Sequence, residues 1–274
     1  MSTRYWRPQK RLADKLPSLA SACRDVLLTV QPREKLMRAR KAARDWRLGR
    51  LAHIFDTEMP DHPAGPKKPE LVHPSKMPKR RKGGSARGRI AMLHAIAHIE
   101  FAAIDLAFDL IGRFGADFPR EFVDDWMGVG ADEAMHFALV DRRLRQYGSY
   151  YGALPAHAGL WEAAYETRDD ALARLAIVPM VLEARGLDVT PSMIERFTTY
   201  DDLPSAAILE RIYTDEIRHV SAGTKWFESA CRSKNLLTFE TWKSLVEGRF
   251  RGQLKGPFND SARSKAGLAL EYYS

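Results

Sequence analysis

The chain has 274 residues, 45% hydrophobic, 28% charged and 10% aromatic, with a formal net charge of +8. That balance suffices for one large core or two small ones and excludes wholesale disorder, a collagen-like repeat and a disulfide scaffold. Two cysteines, Cys23 and Cys231, are too few for a secreted staple framework or a zinc ribbon, and fit a reducing, cytoplasmic setting. Met1-Ser2-Thr3-Arg4-Tyr5-Trp6 lacks the apolar core of a signal peptide. The excess charge is local. Residues 67–90 hold nine bases against one acid, Glu70, and the remainder of the chain balances.

In chain order, residues 1–54 read as an N-terminal helical extension, with Pro8 and Pro17 breaking its start. Leu36, Ala39, Ala43 and Trp46 recur every three to four residues, which predicts an amphipathic helix with a cationic opposite face. Residues 55–86 are proline-rich and then basic, and read as an extended linker. Strand signals are absent from Arg87 onward. Helices are predicted over 87–113, 119–147, 168–186, 203–231 and 238–250. Gly112 and Gly115 would end the first, and Asp201-Asp202 would cap the fourth. A break at Gly186–Thr190, followed by a short helix to Thr199, marks a candidate entrance to a site. The most apolar stretch, Ile90–Gly112, carries His94, His98, Glu100, Asp105 and Asp109, which suits a buried helix serving a site better than a membrane span. The expected organisation is all-α: a four-helix bundle over 87–231 and a C-terminal helix and wrap over 232–274.

Two of these helices carry Asp-Glu-x-x-His, as Asp132-Glu133-Ala134-Met135-His136 and Asp215-Glu216-Ile217-Arg218-His219. Glu and His three apart project from one helix face. A third match, Glu70…His73, lies in the proline-rich linker, where no helix would align it. The first two stand apart because each has a glutamate 33 residues upstream, Glu100 and Glu183, on the preceding apolar helix. Helix lengths then bring four carboxylates and two imidazoles to one depth. Four buried glutamates are tolerable only beside compensating positive charge. Two divalent cations supply it, and mixed oxygen and imidazole donors suit iron or manganese. One Glu from each of two helices plus Glu-x-x-His from two others is the ligand set of dinuclear carboxylate bundles.

These residues make a resemblance visible. Arg87–Cys231 resembles the ferritin-like di-iron superfamily. His94-Ala95-Ile96-Ala97-His98-Ile99-Glu100, Glu183-Ala184-Arg185-Gly186-Leu187-Asp188-Val189-Thr190-Pro191 and the two Asp-Glu-x-x-His segments resemble a bacterial branch catalogued as domain-of-unknown-function family 455. The likeness extends to Leu154-Pro155-Ala156-His157-Ala158-Gly159-Leu160-Trp161 and Gly256-Pro257-Phe258-Asn259. It implies Glu133 and Glu216 as bridging ligands, Glu100 with His136 completing one metal, and Glu183 with His219 completing the other.

Around this set, Asp132 and Asp215 are candidates to accept the free N–H of the histidine in the opposite pair. Tyr213, one turn before Glu216, is a candidate substrate-orienting or redox residue. His94 and His98 fall off the ligand face and read as hydrogen-bonding core residues, and His157 with Trp161 reads as a structural corner. The small residues Ala103, Ala107, Gly130 and Ala176 either leave a cavity or allow close helix packing.

The expected function is that of an oxidoreductase activating O₂ at two Fe ions (Fe/Mn or Mn/Mn also fit), acting on a small substrate with an external electron donor. One alternative is iron or peroxide handling without an organic substrate. Another is an RNA-modifying or RNA-associated protein using residues 67–90, which lack the interleaved aromatics of base-stacking surfaces.

Overall fold

The computed structural model describes residues 16–77 and 85–273. Met1–Trp6, Pro8 and the densest part of the basic segment, Lys79, Arg80, Arg81 and Lys82, lie outside the described residues. Among those described, the chain is helical with no strand.

Two helices, α1 (Leu19–Leu27) and α2 (Pro32–Arg47), precede a proline-rich stretch with a single short turn at Pro74–Lys76. The stretch is tied down where it passes the bundle. Ala64 N–H donates to the Leu27 carbonyl, Val72 N–H to that of Ala156, and the Arg113 guanidinium to that of Pro60. The long helices α3 (Ala86–Phe114) and α4 (Arg120–Gln146) then pack as an antiparallel pair, with α1 against α3 and α2 against α4. A connection containing α5 (Gly159–Glu166) crosses to the second pair. This pair comprises α6 (Ala171–Ile177), a π-helical turn (Val178–Glu183), α7 (Ala184–Thr199) and the long α8 (Leu203–Ser233). Finally α9 (Thr238–Arg249) covers α6 and α8, and α10 (Asp260–Lys265) covers α7 and α8.

Local chemistry accounts for the ends. Ser85 accepts from Gly88 N–H and starts α3, Asp170 accepts from Leu172 and Ala173 and starts α6, and Asp202 accepts from Ser205 and starts α8, as its sequence position predicts. Gly112 does not end α3. It lies inside the helix because Met59 packs where a Cβ would sit, 2.3 Å from the Met59 sulfur. The expected break at Gly186–Thr190 is also absent: α7 runs unbroken to Thr199 with Pro191 inside it. Pro191 cannot donate to the Leu187 carbonyl four residues earlier, and Asn259 Nδ2 from the C-terminal tail fills that vacancy at 3.1 Å. The irregularity lies earlier. Pro179 forces it, and Ala184 N–H reaches back five residues to the Pro179 carbonyl. Gly223 on α8 admits the Pro179 ring, which would lie 2.4 Å from a Cβ there.

The segment Ala86–Asp117 is long and apolar enough by composition to cross a membrane, and most of its apolar window is buried inside the protein. Its charges are matched internally. Asp105 pairs with Lys35 of α2 at 2.5 Å, and Asp109 pairs with Arg174 of α6 at 2.6 Å and with Arg113 at 2.7 Å. Asp109 and Arg174 are 0% and 1% exposed as side chains, so each depends on the other for its charge. Arg174→Met, which strands Asp109 opposite a single arginine, is expected to cost about 3 kcal/mol in urea denaturation, with much of the loss recovered in the Arg174→Met/Asp109→Leu double variant.

Candidate metal centre

Midway along the bundle, α3 contributes Glu100, α4 contributes Glu133 and His136, and α8 contributes Glu216 and His219. One donor atom each from Glu100, Glu133, His136 and Glu216 lies within 4.8 Å of all the others. His136 and His219 have ring centroids 5.8 Å apart. Both present Nδ1 to the carboxylates: His136 Nδ1 is 3.2 Å from Glu100 Oε2 and 3.6 Å from Glu133 Oε2. His219 Nδ1 is 2.9 Å from Glu133 Oε1 and 3.7 Å from Glu216 Oε1. Glu183 enters from the π-helical turn, with its Oε2 buried. The residues are enclosed: Glu133 is 1%, His136 0% and His219 1% exposed.

The polar atoms of this cluster do not satisfy one another. Glu133 Oε1 and Oε2, Glu183 Oε2, Glu216 Oε2 and His219 Nδ1 are buried with no hydrogen-bond partner among the described residues. His219 Nδ1 and Glu133 Oε1 are 2.9 Å apart, yet they are not aligned as donor and acceptor. Buried polar atoms are normally paired, because leaving one bare costs about 1–3 kcal/mol. Several bare acceptors converging from three segments fit a common electropositive guest. The donor set, carboxylate oxygen with imidazole nitrogen and no thiolate, fits a first-row divalent metal. The chemistry of these residues therefore accommodates a metal ion.

The buried charges of the cluster act on one another. Burial raises Glu100 to about 8, with the nearby Glu133 carboxylate adding to the rise. Burial likewise raises Glu183 and Glu216, each pushed further by neighbouring carboxylates. For Glu133, burial is outweighed by the two histidines, which hold it below the usual carboxylate range. Burial opposes a charged His136, but Glu100 and Glu133 outweigh it and raise the imidazole to about 11. His219 is raised in the same way through Asp132 and Glu133.

Outside the cluster, the remaining imidazole nitrogens cross between the two halves. His136 Nε2 faces Asp215 Oδ2 at 3.1 Å, and His219 Nε2 faces Asp132 Oδ2 at 3.4 Å. Sequence reasoning missed the next partners. Arg211 donates to Asp215 at 2.5 Å, and Arg218 reaches both Asp215 (2.5 Å) and Asp132 (3.1 Å). Against the cost of burial, these arginines and His136 hold Asp215 down to about 2. The spacing of Arg211 and Arg218, four before and three after Asp215 on one helix, was the available signal.

The other candidates fall in place around this centre. Tyr213 receives a hydrogen bond on its hydroxyl from Asn259 Nδ2 at 3.0 Å. His94 Nε2 accepts from Gly152 and Leu154 N–H groups, and burial depresses this histidine to about 4. His98 donates from Nε2 to the His157 carbonyl, which leaves Nδ1 to accept from Tyr151. Both histidines thus fasten the 149–158 connection, as their off-face positions predict. Trp161 donates to the Asp61 carbonyl at 3.1 Å, and His157 Nδ1 accepts from Gly159 N–H, so this corner is structural. Gly130 accommodates the Phe108 ring, 2.7 Å from where a Cβ would lie, and so serves close packing. Glu70 and His73 are exposed on the linker, away from the cluster. In place of the expected opening at Gly186–Thr190, a groove of about 340 Å³ has Asp132, Arg218 and His219 in its wall.

Comparison with known proteins agrees with the family resemblance seen in the sequence. The family described as "Protein of unknown function (DUF455)" matches residues 28–274. The chain belongs to that family. A protein of Haemophilus influenzae, described as uncharacterized, is 42% identical over 211 residues, covering 75% of this chain and 73% of its own length. No solved structure matches the chain. The family match spans all six clustered residues and the tail that carries Asn259.

The protonation pattern has a measurable consequence. A cation must displace protons from His136 and His219, which hold them well above neutral pH, so uptake is expected to release about two or more protons per chain. Affinity then falls as pH falls. Calorimetric titration with Mn²⁺ in buffers of different ionisation enthalpy measures the release. Asp215→Asn is expected to weaken Mn²⁺ binding about tenfold to a hundredfold.

Proposed function

We propose that this protein is an oxidoreductase of the hydroxylase or oxidase type, with a ferritin-like bundle holding two metal ions, iron first among them. The observation that carries this reading is the set of bare, buried carboxylate oxygens and the bare imidazole nitrogen turned inward from both helical pairs. Two divalent ions would match four carboxylates in charge. Glu100, Glu133, His136, Glu183, Glu216 and His219 would be the ligands, with Glu133 and Glu216 between the ions. A bound, reduced iron pair would supply electrons to O₂ and so make it an oxidant for the substrate, with an external donor returning the metals to the reduced state.

The chain's own residues would do three things there. Asp132 and Asp215 would each accept a hydrogen bond from the Nε2–H of the facing histidine, fixing Nδ1 as the coordinating atom. Arg211 and Arg218 would keep Asp215 ionised, and Arg218 would hold Asp132 in position. The apolar walls of α3, α4 and α8, with Phe108 seated against Gly130, would limit water at the centre. The irregular π-helical turn gives Glu183 a position on the site that differs from that of Glu100 on its straight helix, so the two halves would not be equivalent.

The test is metal stoichiometry joined to O₂ uptake. Purified protein loaded anaerobically with Fe²⁺ is expected to hold about two ions per chain, to show magnetic coupling after oxidation, and to consume O₂ when reduced. Glu133→Ala is expected to lose the coupled pair and O₂ uptake together. A protein that binds two irons yet consumes no O₂ when reduced contradicts the oxidoreductase reading. One that binds none contradicts the metal reading with it.

A further inference from the structure

A second concentration of charge lies away from this centre. Helix α2 carries seven bases against two acids, Glu34 and Asp45, in a part of the chain that is otherwise balanced outside residues 67–90. Between α2 and α4 runs a groove of about 1130 Å³, walled by Arg38, Arg40, Lys41, Arg44, Arg47 and Arg120. Two acids line it: Glu34, which is exposed and has no ion-pair partner among the described residues, and Asp124, which is engaged. Asp124 receives the Trp46 indole N–H at 2.7 Å and lies 4.0 Å from Arg120, while Asp45 is held among Lys41, Arg44 and Arg50. Arg40 and Arg47 have no acidic partner among the described residues and are exposed.

From this geometry we infer that the groove between α2 and α4 binds the phosphodiester backbone of a nucleic acid. Three features select that ligand. The cations do not converge on one point, as a pocket for a single phosphate would require. Arg40, Arg44 and Arg47 follow one another at i, i+4 and i+7, along about 10 Å of helix, which spaces them for successive groups on a chain. Five of the six are arginines, whose planar forks match phosphate oxygens in pairs. The aromatic on the floor, Trp46, is buried and covered by the Arg120 guanidinium 3.8 Å from its ring, so it offers bases no stacking face. Binding is therefore to the backbone, strongly salt-dependent and indifferent to sequence.

Gly128 supports the assignment independently. It lies within α4, where alanine would favour the helix by about 1 kcal/mol, and a Cβ built there meets nothing within 4 Å. Packing does not require a glycine at this position. It lines both the arginine groove and the smaller groove that reaches Asp132 and His219, and a side chain there would narrow the junction.

The inference does not depend on the metal reading, and its test is binding alone. Fluorescence anisotropy of a labelled single-stranded RNA 20-mer of mixed sequence is followed from low to physiological salt with the full chain. The native protein is expected to bind with affinity that falls steeply as salt rises. Arg40→Glu/Arg47→Glu is expected to lose about tenfold or more in affinity and about 1.4 in the slope of log affinity against log salt, near 0.7 per lost contact. Arg142→Glu/Arg196→Glu changes net charge equally at two exposed positions outside the groove, and is expected to stay within about twofold of native. Gly128→Trp, with helical circular dichroism unchanged, is expected to weaken binding as well. The inference is overturned by absence of salt-dependent binding in the native chain, by equal losses in the two charge-reversed variants, or by undiminished binding when tryptophan occupies position 128.

Discussion

The structure turns on one electrostatic problem: carboxylates from four segments face one another in a space that is nearly closed to solvent. Negative charges at that separation repel by several kcal/mol even at an effective dielectric of about 20, before the cost of leaving water is counted. Part of the problem is met by protons, because burial raises the Glu100 carboxyl to about 8 and the carboxylates beside His136 raise its imidazole to about 11. Protons on those atoms still leave other acceptors bare. The fold around the cluster therefore has to be stable enough to hold an unfavourable centre together.

That stability comes from the surrounding shell. The apolar cores of the two helical pairs are continuous, and they extend into α1 and α2 through Leu19, Cys23 and Trp46 and into the tail through Leu268 and Tyr272. Buried ion pairs join elements distant in sequence: Lys35 to Asp105, Arg174 to Asp109, and Arg263 to Asp188. Each fixes the helix that bears a clustered residue without entering the cluster. Asp105 and Asp109 follow Glu100 on α3, and Asp188 follows Glu183 on the segment that begins with the π-helical turn. The tail repeats the device at finer scale. Asn259 caps α10, closes the carbonyl left open by Pro191, and holds the Tyr213 hydroxyl, which lies one turn before Glu216.

The sequence carried the clustered residues because their pattern is doubled. Glu100…Glu133-x-x-His136 and Glu183…Glu216-x-x-His219 share one spacing, and helical periodicity turns that spacing into a common depth. The all-α class was legible for the same reason. What sequence could not carry is anything set by a side chain arriving from elsewhere. Gly112 resembles a helix terminator until Met59 is seen to occupy its face. Gly186 and Pro191 resemble a break until the Asn259 amide is seen to repair the helix. In the other direction, Pro179 passed unnoticed inside a predicted helix although a proline there has to distort it. Local breakers predict where hydrogen bonds are lost and remain silent on whether a distant segment restores them.

The duplication also clarifies why the two halves diverge. In the first pair, a straight helix presents Glu100, and Gly130 on the facing helix lets Phe108 seal the interior. In the second, Pro179 and Gly223 meet on the opposite side of the ligand layer, and the helix opens by one residue in the turn that ends at Glu183. An inserted residue turns everything after it by about 100°, so Glu183 and α7 cannot both keep the register of the first half. The structure resolves this by letting the π-helical turn absorb the rotation, after which α7 returns to α-helical geometry and packs along α8. One carboxylate of the four thus sits on backbone with weaker hydrogen bonding than its counterparts. If any member of the cluster changes its position when charge at the centre changes, it is Glu183, because a π-helical turn can relax to α-helix by shifting a single residue, while Glu100, Glu133 and Glu216 are held by long regular helices.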